Sequence, residues 1–143
     1  MPEFLDLKSS QNASFANSIS IPITVINTGQ LIAQQTLDLS DGEAGQTRVD
    51  FSGVCGVQLG VSQPVATITI SVVRGTLPTD PLVFSGAQTL DTSLSGPQLI
   101  NVTGSDFFAP NTVQTYTAFV SSSALGTIRV GPESFYFIGT SDS

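Results

Sequence analysis

Apolar and polar residues alternate along most of the chain with a period of two, which is the period of a half-buried β-strand. The clearest examples are residues 48–59 and 65–74. In the second, apolar and hydroxyl faces are opposed, with Ala66, Ile68, Ile70 and Val72 against Thr67, Thr69 and Ser71. Gly53 and Gly56 predict a bend or a bulge within the strand at 48–59. No segment combines a helical period with capping residues, so the pattern predicts a chain built of strands.

Weaker alternation predicts further strands between clusters of turn residues. These strands lie at 18–27, 31–39, 82–84, 99–102, 113–121 and 126–139, and loops lie at 40–45, 75–81, 91–97 and 109–111. Pro22 marks the first strand as an edge strand or a bulge, because proline cannot donate to a sheet ladder. Ser85-Gly86 and Gly104-Ser105-Asp106 are expected to end two of the others. The strand at 113–121 has apolar residues on both faces, so both of its sides are expected to be covered.

About eight strands with turn residues between them indicate an all-β sandwich, jelly roll or barrel. A jelly roll uses eight strands in two sheets. An immunoglobulin-type sandwich is disfavoured, because the chain has no Trp and a single Cys and so lacks the buried Trp and the disulfide of that fold. We expect one jelly-roll-like β-sandwich of about eight strands over residues 18–143, with an N-terminal arm at 1–17.

The arm at residues 1–17 stands apart from the strand pattern. Phe4, Leu5 and Leu7 form a short apolar cluster, and the polar segment that follows contains Phe15. Two alternatives stay open for it. The arm is a disordered terminus or an extra edge strand of its own domain, or it is a connector that adds a strand to a neighbouring subunit through main-chain hydrogen bonds. In the second case these four apolar residues are the self-assembly residues.

Composition and charge exclude several functions for these 143 residues. The net charge is −7, only 10% of residues are charged, and 19 Ser and 16 Thr take the place of charged side chains. Lys8, Arg48, Arg74 and Arg129 are the only basic residues, which is too few for a nucleic-acid surface or a polybasic membrane patch. No apolar run reaches the ~20 residues of a membrane-spanning helix. We therefore expect no nucleic-acid partner and no membrane contact.

The residues that carry chemistry are sparse, and we expect no enzyme activity, no catalytic residue, no cofactor and no metal. The chain has no histidine, the commonest general base. Cys55 lies on the apolar face of its strand, where burial keeps a thiol protonated and inert. Asp38, Asp41 and Glu43 surround a loop that lacks the bidentate Glu closing a calcium loop, so a solvated loop is favoured. Whether a glycan or calcium is bound stays open.

Two arginines end runs of β-branched residues. Arg74 and Arg129 are expected to form ion pairs within the chain, with an acid such as Asp80 or Glu133 as the partner. The functional alternative places Arg74, Arg129 and Glu133 in ion pairs between subunits.

Several stretches resemble a group of surface proteins. They are SVVRG at 71–75, LVFSG at 82–86, INVTGSDF at 100–107, TYTAFV at 115–120 and RVGPESF at 129–135. Together they resemble, over most of residues 15–140, the exosporium and endospore-appendage group of jelly-roll subunits on the spores of endospore-forming Firmicutes. The resemblance implies a jelly roll similar to that of tumour necrosis factor and complement proteins, which commonly trimerises, and polymerisation through N-terminal connectors. The N-terminal cysteines that cross-link some appendage subunits are absent here.

The expected function is that of a non-catalytic structural subunit. It self-assembles into a spore-surface fibre or layer, with the N-terminal arm donating a strand to a neighbouring subunit, and its partners are copies of itself and other spore-surface proteins. Residues 1–8 show no export signal, and the resemblance accounts for this, since spore-surface proteins are made in the mother cell and deposited on the forespore. The alternative is a binding or adhesion module, a lectin-like jelly roll displayed on a surface assembly as a closed trimer.

Overall fold

The computed structural model describes residues 2–60, 65–91 and 96–142. Within these ranges every regular element is a strand. The strands are Glu3–Ala13 (β1), Ile21–Pro22 (β2), Gln30–Asp38 (β3), Thr47–Gln58 (β4), Val65–Arg74 (β5), Leu82–Asp91 (β6), Gln98–Phe107 (β7), Val113–Ser122 (β8) and Ile128–Ser141 (β9). The predicted all-β class is confirmed.

The strands form two antiparallel sheets that pack face to face. The first sheet has the order β1-β9-β4-β7, with the short β2 also paired to β9, and the second sheet has the order β3-β8-β5-β6. Apart from β2, the first strand pairs with the last, β3 with β8, β4 with β7, and β5 with β6. A long hairpin rolled up in this way is a jelly roll. The predicted jelly-roll sandwich is therefore confirmed.

The core lies between the sheets and is built from the predicted apolar faces. Its members include the following residues, each at most 2% exposed: Val49, Phe51, Cys55, Ile68, Ile70, Val72, Tyr116, Phe135 and Phe137. Aromatic rings join the two sheets. Phe137 of β9 stacks on Tyr116 of β8 with ring centroids 6.1 Å apart, and Phe51 of β4 meets Phe84 of β6 edge-on at 5.7 Å. Such pairs contribute beyond the area they bury.

β8 is covered on both faces, as its pattern predicts. Residues 116–120 are all buried, because β8 lies between β3 and β5 and loops cover its outer side. The Thr117 hydroxyl donates to the Gly75 carbonyl at 2.7 Å. A Cβ added to Gly29 would lie 2.9 Å from the Cβ of Phe119, so the chain before β3 packs closely on that ring.

The strand predicted at 18–27 is much longer than the strand in the structure. Only Ile21–Pro22 pair with β9. Ile23 is buried in the core, but Val25 and Ile26 are 56% and 48% exposed. Proline at position 22 removes a ladder donor, and the last main-chain bond of this segment to the β9 side is from the N–H of Ile23 to the carbonyl of Thr127 at 2.9 Å.

β6 and β7 run further than their predicted ends. Gly86 pairs opposite Ile70, and Gly104 pairs opposite Phe51, because long-range pairing with a central strand outweighs local turn propensity. Gly104 also has a packing role. A Cβ there would lie 2.6 Å from Cδ2 of Phe84 and 2.9 Å from Cε1 of Phe51, so the glycine makes room for two core rings.

A bulge lies opposite Gly56, but it belongs to β9, so the bulge predicted within β4 is assigned to the wrong strand. The register against β9 shifts between Cys55 and Val57, and residues 130–132 of β9 are the extra residues on the other strand. The carbonyl group of Gly131 occupies the space that a Cβ on Gly56 would need. A side chain at position 56 is therefore incompatible with this bulge.

Three of the predicted loops are confirmed, at 40–45, 75–81 and 109–111. The fourth, at 91–97, lies largely outside the described residues, since positions 92–95 are not among them.

Candidate functional site on the first sheet

The N-terminal residues form an edge strand of their own sandwich. β1 pairs with β9 from Glu3 opposite Ser141 to Ala13 opposite Glu133. This corrects the predicted boundary at residue 17, because β1 is the first strand of the jelly roll. Of the two alternatives that the sequence leaves open, the intrachain edge strand is the one present in this structure.

Side-chain and main-chain groups of β1 also reach across to β3, the neighbouring edge of the second sheet. The Asp6 carboxylate accepts from the backbone N–H of Asp38 at 2.9 Å. The Asn12 amide donates to the carbonyl of Ile32 at 2.7 Å, and the Gln35 amide donates to the carbonyl of Ser9 at 2.6 Å. These bonds satisfy backbone groups that an edge strand otherwise leaves free.

Four side chains of β1 and β9 form an apolar patch on the outer face of the first sheet. Phe4, Leu7 and Tyr136 are 62%, 51% and 47% exposed, and Ile138 is half-buried. Leu7 lies opposite Ile138, and a bulge at Leu5 brings Phe4 onto the same face. We call Phe4, Leu7, Tyr136 and Ile138 the outer patch.

Charged groups border the outer patch on the β4 side. Arg48 donates from Nε to Asp50 Oδ2 at 3.2 Å, and its Nη1 lies 3.7 Å from Asp142 Oδ2. The Ser105 hydroxyl donates to the other Asp50 oxygen at 2.5 Å. An apolar centre beside a polar rim of both signs is the usual composition of a protein interface.

The structure separates the four residues predicted for self-assembly. Phe4 and Leu7 come together in the outer patch. Leu5 is half-buried and packs against the core, and Phe15 is 74% exposed in the connection after β1. Sequence reasoning left open whether Tyr136 packs in the core or against a partner, because the pattern of a single strand does not show which strand lies beside it.

The predicted ion-pair residues pair within the chain. Arg129 donates to both Glu133 oxygens at 2.6 Å, and both side chains are buried. The alternative of a pair between subunits is therefore wrong for these two residues. Arg74 pairs with Asp106, at 2.8 Å from both Nε and Nη2. The Asp80 carboxylate, an expected partner, instead accepts from backbone N–H groups of its own loop.

A buried polar cluster surrounds Glu133. Its Oε1 also accepts from the Asn12 amide at 3.1 Å, and the Cys55 thiol lies 3.8 Å from its Oε2. Burial and the negative charge of Glu133 raise the pKa of the Cys55 thiol to about 12. The prediction that Cys55 is a core residue is confirmed, and its thiol stays protonated near neutral pH.

A second cluster joins Asp106 to Tyr116 and Arg74. The Tyr116 hydroxyl, inside the core, donates to Asp106 Oδ2 at 2.5 Å. Burial, and then the hydrogen bond to Asp106, raise the pKa of Tyr116. The same carboxylate raises the pKa of Arg74 through its hydrogen bonds. Asp106 thus has donors on both oxygens, which is what a buried carboxylate requires.

The acidic loop does not form a cluster of ligands. Asp38 accepts from the backbone N–H and the hydroxyl of Ser40, and these bonds lower its pKa. Across residues 2–60, 65–91 and 96–142, no three acidic or Cys side chains converge as a metal site would require. The same ranges hold no helix with the length and apolarity needed to cross a bilayer.

The outer face of the second sheet carries a shallow depression of about 270 Å³. It lies between the segment before β3 and the loop before β6. Its lining is Asn27, Gly29, Ser71, Val73, Pro78, Leu82, Phe119 and Ser121. Phe119 and Val73 are almost covered, whereas Leu82 is 61% exposed. The accessible lining therefore combines polar groups with apolar surface.

No protein-family model matches the sequence, and no curated protein does. Among solved structures, the chain is similar to part of dimeric latent PorU from Porphyromonas gingivalis, with a TM-score of 0.59 and 9% identity over 98% of this chain and 13% of that one. The VP2 subviral particle of infectious bursal disease virus gives a TM-score of 0.48 and 14% identity over 97% of this chain and 31% of that one.

A third similar structure is the CBM22-1 xylan-binding domain from Paenibacillus barcinonensis, with a TM-score of 0.39 and 13% identity over 94% of this chain and 80% of that one. At these identities the likenesses show the fold alone, and only the first exceeds a TM-score of 0.5. The chain spans only a small part of the PorU and VP2 chains. None of the three is described as a spore-surface protein.

Proposed function

We propose that this protein is a non-catalytic structural subunit that self-associates through the outer patch. The observation that carries the proposal is the exposure of Phe4, Leu7 and Tyr136 side by side on one sheet face. Contiguous apolar surface rimmed by polar groups marks interaction sites on soluble domains. The second copy of the chain is the chosen partner, because Arg48 and Asp50 beside the patch can meet the opposite charge on another copy.

Burial of the patch contributes favourable free energy to association, and repulsion between negatively charged copies opposes it. Fully burying one Leu or Phe side chain is worth about 1.5–3 kcal/mol. The chain carries a net charge of −7, so self-association through this patch is expected to strengthen as salt screens the repulsion between copies.

The experiment is analytical ultracentrifugation and negative-stain electron microscopy of the wild type and of Leu7→Ser and Phe4→Ser/Leu7→Ser. We expect the wild type to form fibres or oligomers larger than a dimer and the double variant to lose these larger assemblies. Phe15→Ser is the matched control, because Phe15 is more exposed than either patch residue and lies outside the patch. A monomeric wild type, or a double variant that assembles like the wild type, would overturn the proposal.

A disulfide between β1 and β9 can distinguish association through the outer patch from strand exchange, in which β1 pairs with β9 of a neighbouring copy. Gln11 and Ser134 are register partners on β1 and β9 whose side chains hydrogen-bond to each other, at a spacing that a disulfide can bridge. Oxidised Gln11→Cys/Ser134→Cys holds β1 in its own sheet. Assembly that survives oxidation supports association through the patch, and assembly that is lost on oxidation and restored by reductant shows exchange.

The proposed location is a spore surface or another extracellular assembly, and it is supported by the sequence resemblance alone. Immunogold labelling of spores and vegetative cells of the source organism tests it. Gold on the outer spore layers supports the location, and gold confined to the cytoplasm contradicts it.

A second candidate function, binding of a small polar ligand such as a glycan, is favoured by the depression on the second sheet. Its hydroxyl and amide groups, including Ser71, Ser121 and Asn27, are suited to hydrogen bonding with sugars. A glycan array followed by titration calorimetry tests this function. Binding that is lost in Ser71→Leu and kept in Leu7→Ser supports it, and absence of binding contradicts it.

A further inference from the structure

In the part of the chain that the structure describes, β7 is an edge strand of the first sheet, and it is built differently from β1 at the opposite edge. β1 carries two register shifts and the charged Lys8, both of which discourage strand addition. β7 pairs with β4 over ten residues, Gln98 to Phe107, without any shift. β7 is therefore long and regular, and its outward row has no charge, which are the properties of an edge that accepts another strand.

The outward side chains of β7 form an uncharged row with apolar ends. In order, the row is Leu99, Asn101, Thr103, Ser105 and Phe107. Leu99 and Phe107 are 52% and 61% exposed. The acid of this strand, Asp106, faces inward and is neutralised by Arg74. In a chain with a net charge of −7, this edge is a place where two copies can approach without placing like charges opposite each other.

The row is complementary to itself about Thr103. Antiparallel pairing of two copies with Thr103 opposite Thr103 places Leu99 opposite Phe107 of the other copy, twice by symmetry. It also places Asn101 opposite Ser105. Apolar side chains and threonines directly opposite each other are favourable cross-strand pairs, and a two-fold arrangement is the commonest symmetry of homo-oligomers.

We propose that β7 pairs with β7 of a second copy about a two-fold axis at Thr103. The first sheet of one copy and the first sheet of the other then form one continuous sheet. The inference rests on the proposed self-association but uses a separate surface. Two separate contacts on one subunit, the outer patch and the β7 edge, allow assemblies larger than a dimer.

Cysteine cross-linking tests the register directly. Thr103→Cys is expected to form a disulfide-linked dimer under mild oxidation, because paired residues of antiparallel strands lie within disulfide reach. Asn101→Cys alone is the matched control and is expected to stay uncross-linked, whereas a mixture of Asn101→Cys and Ser105→Cys proteins is expected to cross-link. A folded Thr103→Cys protein that stays monomeric on a non-reducing gel would overturn the inference.

Charge substitution tests the edge without a covalent bond. Thr103→Lys and Thr103→Glu each place a charge opposite itself and are expected to weaken association at this edge about fivefold or more, while an equimolar mixture of the two restores it. Equal association in the separate variants and in the mixture would overturn the pairing.

The variants also separate this inference from the proposed function. If both surfaces act, Phe4→Ser/Leu7→Ser leaves β7-linked dimers and Thr103→Lys leaves patch-linked dimers. If the patch variant is fully monomeric, the β7 inference is wrong and the patch proposal stands. If Thr103→Lys alone abolishes assembly and the patch variant assembles like the wild type, the patch proposal is wrong and β7 stands.

Discussion

Arg129 and Glu133 lie four residues apart on β9 and yet form a two-bond ion pair inside the sandwich, with both N–O distances at 2.6 Å. In a regular strand these two positions would be about 13 Å apart. The chain bulges between them, opposite Gly56 of β4. The pair therefore exists because of the bulge, and its charges are satisfied where water does not reach.

Removing one partner of this pair is expected to destabilise the fold strongly. Arg129→Met leaves the buried Glu133 carboxylate without its cation, and we expect a loss of about 3–5 kcal/mol in the free energy of unfolding, measured by urea denaturation. Arg48→Met is the control, because its ion pairs are partly exposed and its loss is expected to be about 1 kcal/mol or less.

The double variant Arg129→Met/Glu133→Gln sharpens that prediction. It removes both charges, so it is expected to be more stable than Arg129→Met alone. An Arg129→Met protein as stable as Arg48→Met would contradict the importance of the buried pair.

The hydroxyl of Tyr116 is expected to stabilise the core through Asp106. Tyr116→Phe removes a hydrogen bond to a buried carboxylate that keeps Arg74 as its other partner. We expect a loss of about 1.5–3 kcal/mol in the free energy of unfolding. Tyr136→Phe, in the exposed outer patch, is the matched control and is expected to leave stability unchanged. Equal effects of the two substitutions in chemical denaturation would contradict the prediction.

Cys55 makes the fold sensitive to alkaline pH. Its pKa is raised to about 12 in the folded state from an ordinary value of 9.0. The contribution of the Cys55 thiol to the free energy of unfolding is complete below pH 9, where the thiol is protonated in the folded and the unfolded state. Between these values the unfolded thiol ionises and the folded one does not, so the free energy of unfolding falls by up to about 1.4 kcal/mol per pH unit.

Urea denaturation of the wild type and Cys55→Ala at several pH values from 8 to 11 measures this effect. The alanine variant is less stable at pH 8 because it leaves a small cavity. Its stability is expected to fall less steeply above pH 9, so the two curves converge. Parallel curves would show that the thiol does not titrate differently in the folded state.

Gly104 and Gly86 are expected to respond oppositely to alanine. A Cβ at Gly104 meets the rings of Phe51 and Phe84 at less than 3 Å, whereas one at Gly86 makes only ordinary contacts, the nearest at 3.4 Å. Gly104→Ala is therefore expected to lose about 1–3 kcal/mol of stability through overpacking. Gly86→Ala is expected to be neutral or to gain about 0.5–1 kcal/mol. Thermal and urea denaturation of both variants would show the difference, and equal effects would contradict it.

The extent to which the sequence predicts this molecule differs between its elements. Residues 65–74 are predicted with the bounds that β5 has, because their alternation is complete and the chain before and after them carries turn residues. Only two of the four residues of the outer patch are predicted from the sequence. Phe4 and Leu7 stand out as a detached apolar cluster, but Tyr136 joins them only through the pairing of β1 with β9, and that pairing leaves no mark in the local pattern of either strand.

The sequence by itself determined the all-β class, the core faces of β4 and β5 and the buried state of Cys55. The reason is that alternation and β-branching are local properties of a strand. Only the tertiary structure decided that residues 3–13 belong to the sandwich and that Arg74 pairs with Asp106 rather than Asp80. These outcomes depend on which strands become neighbours and where a bulge changes the register, and both are set by contacts between residues far apart in the chain.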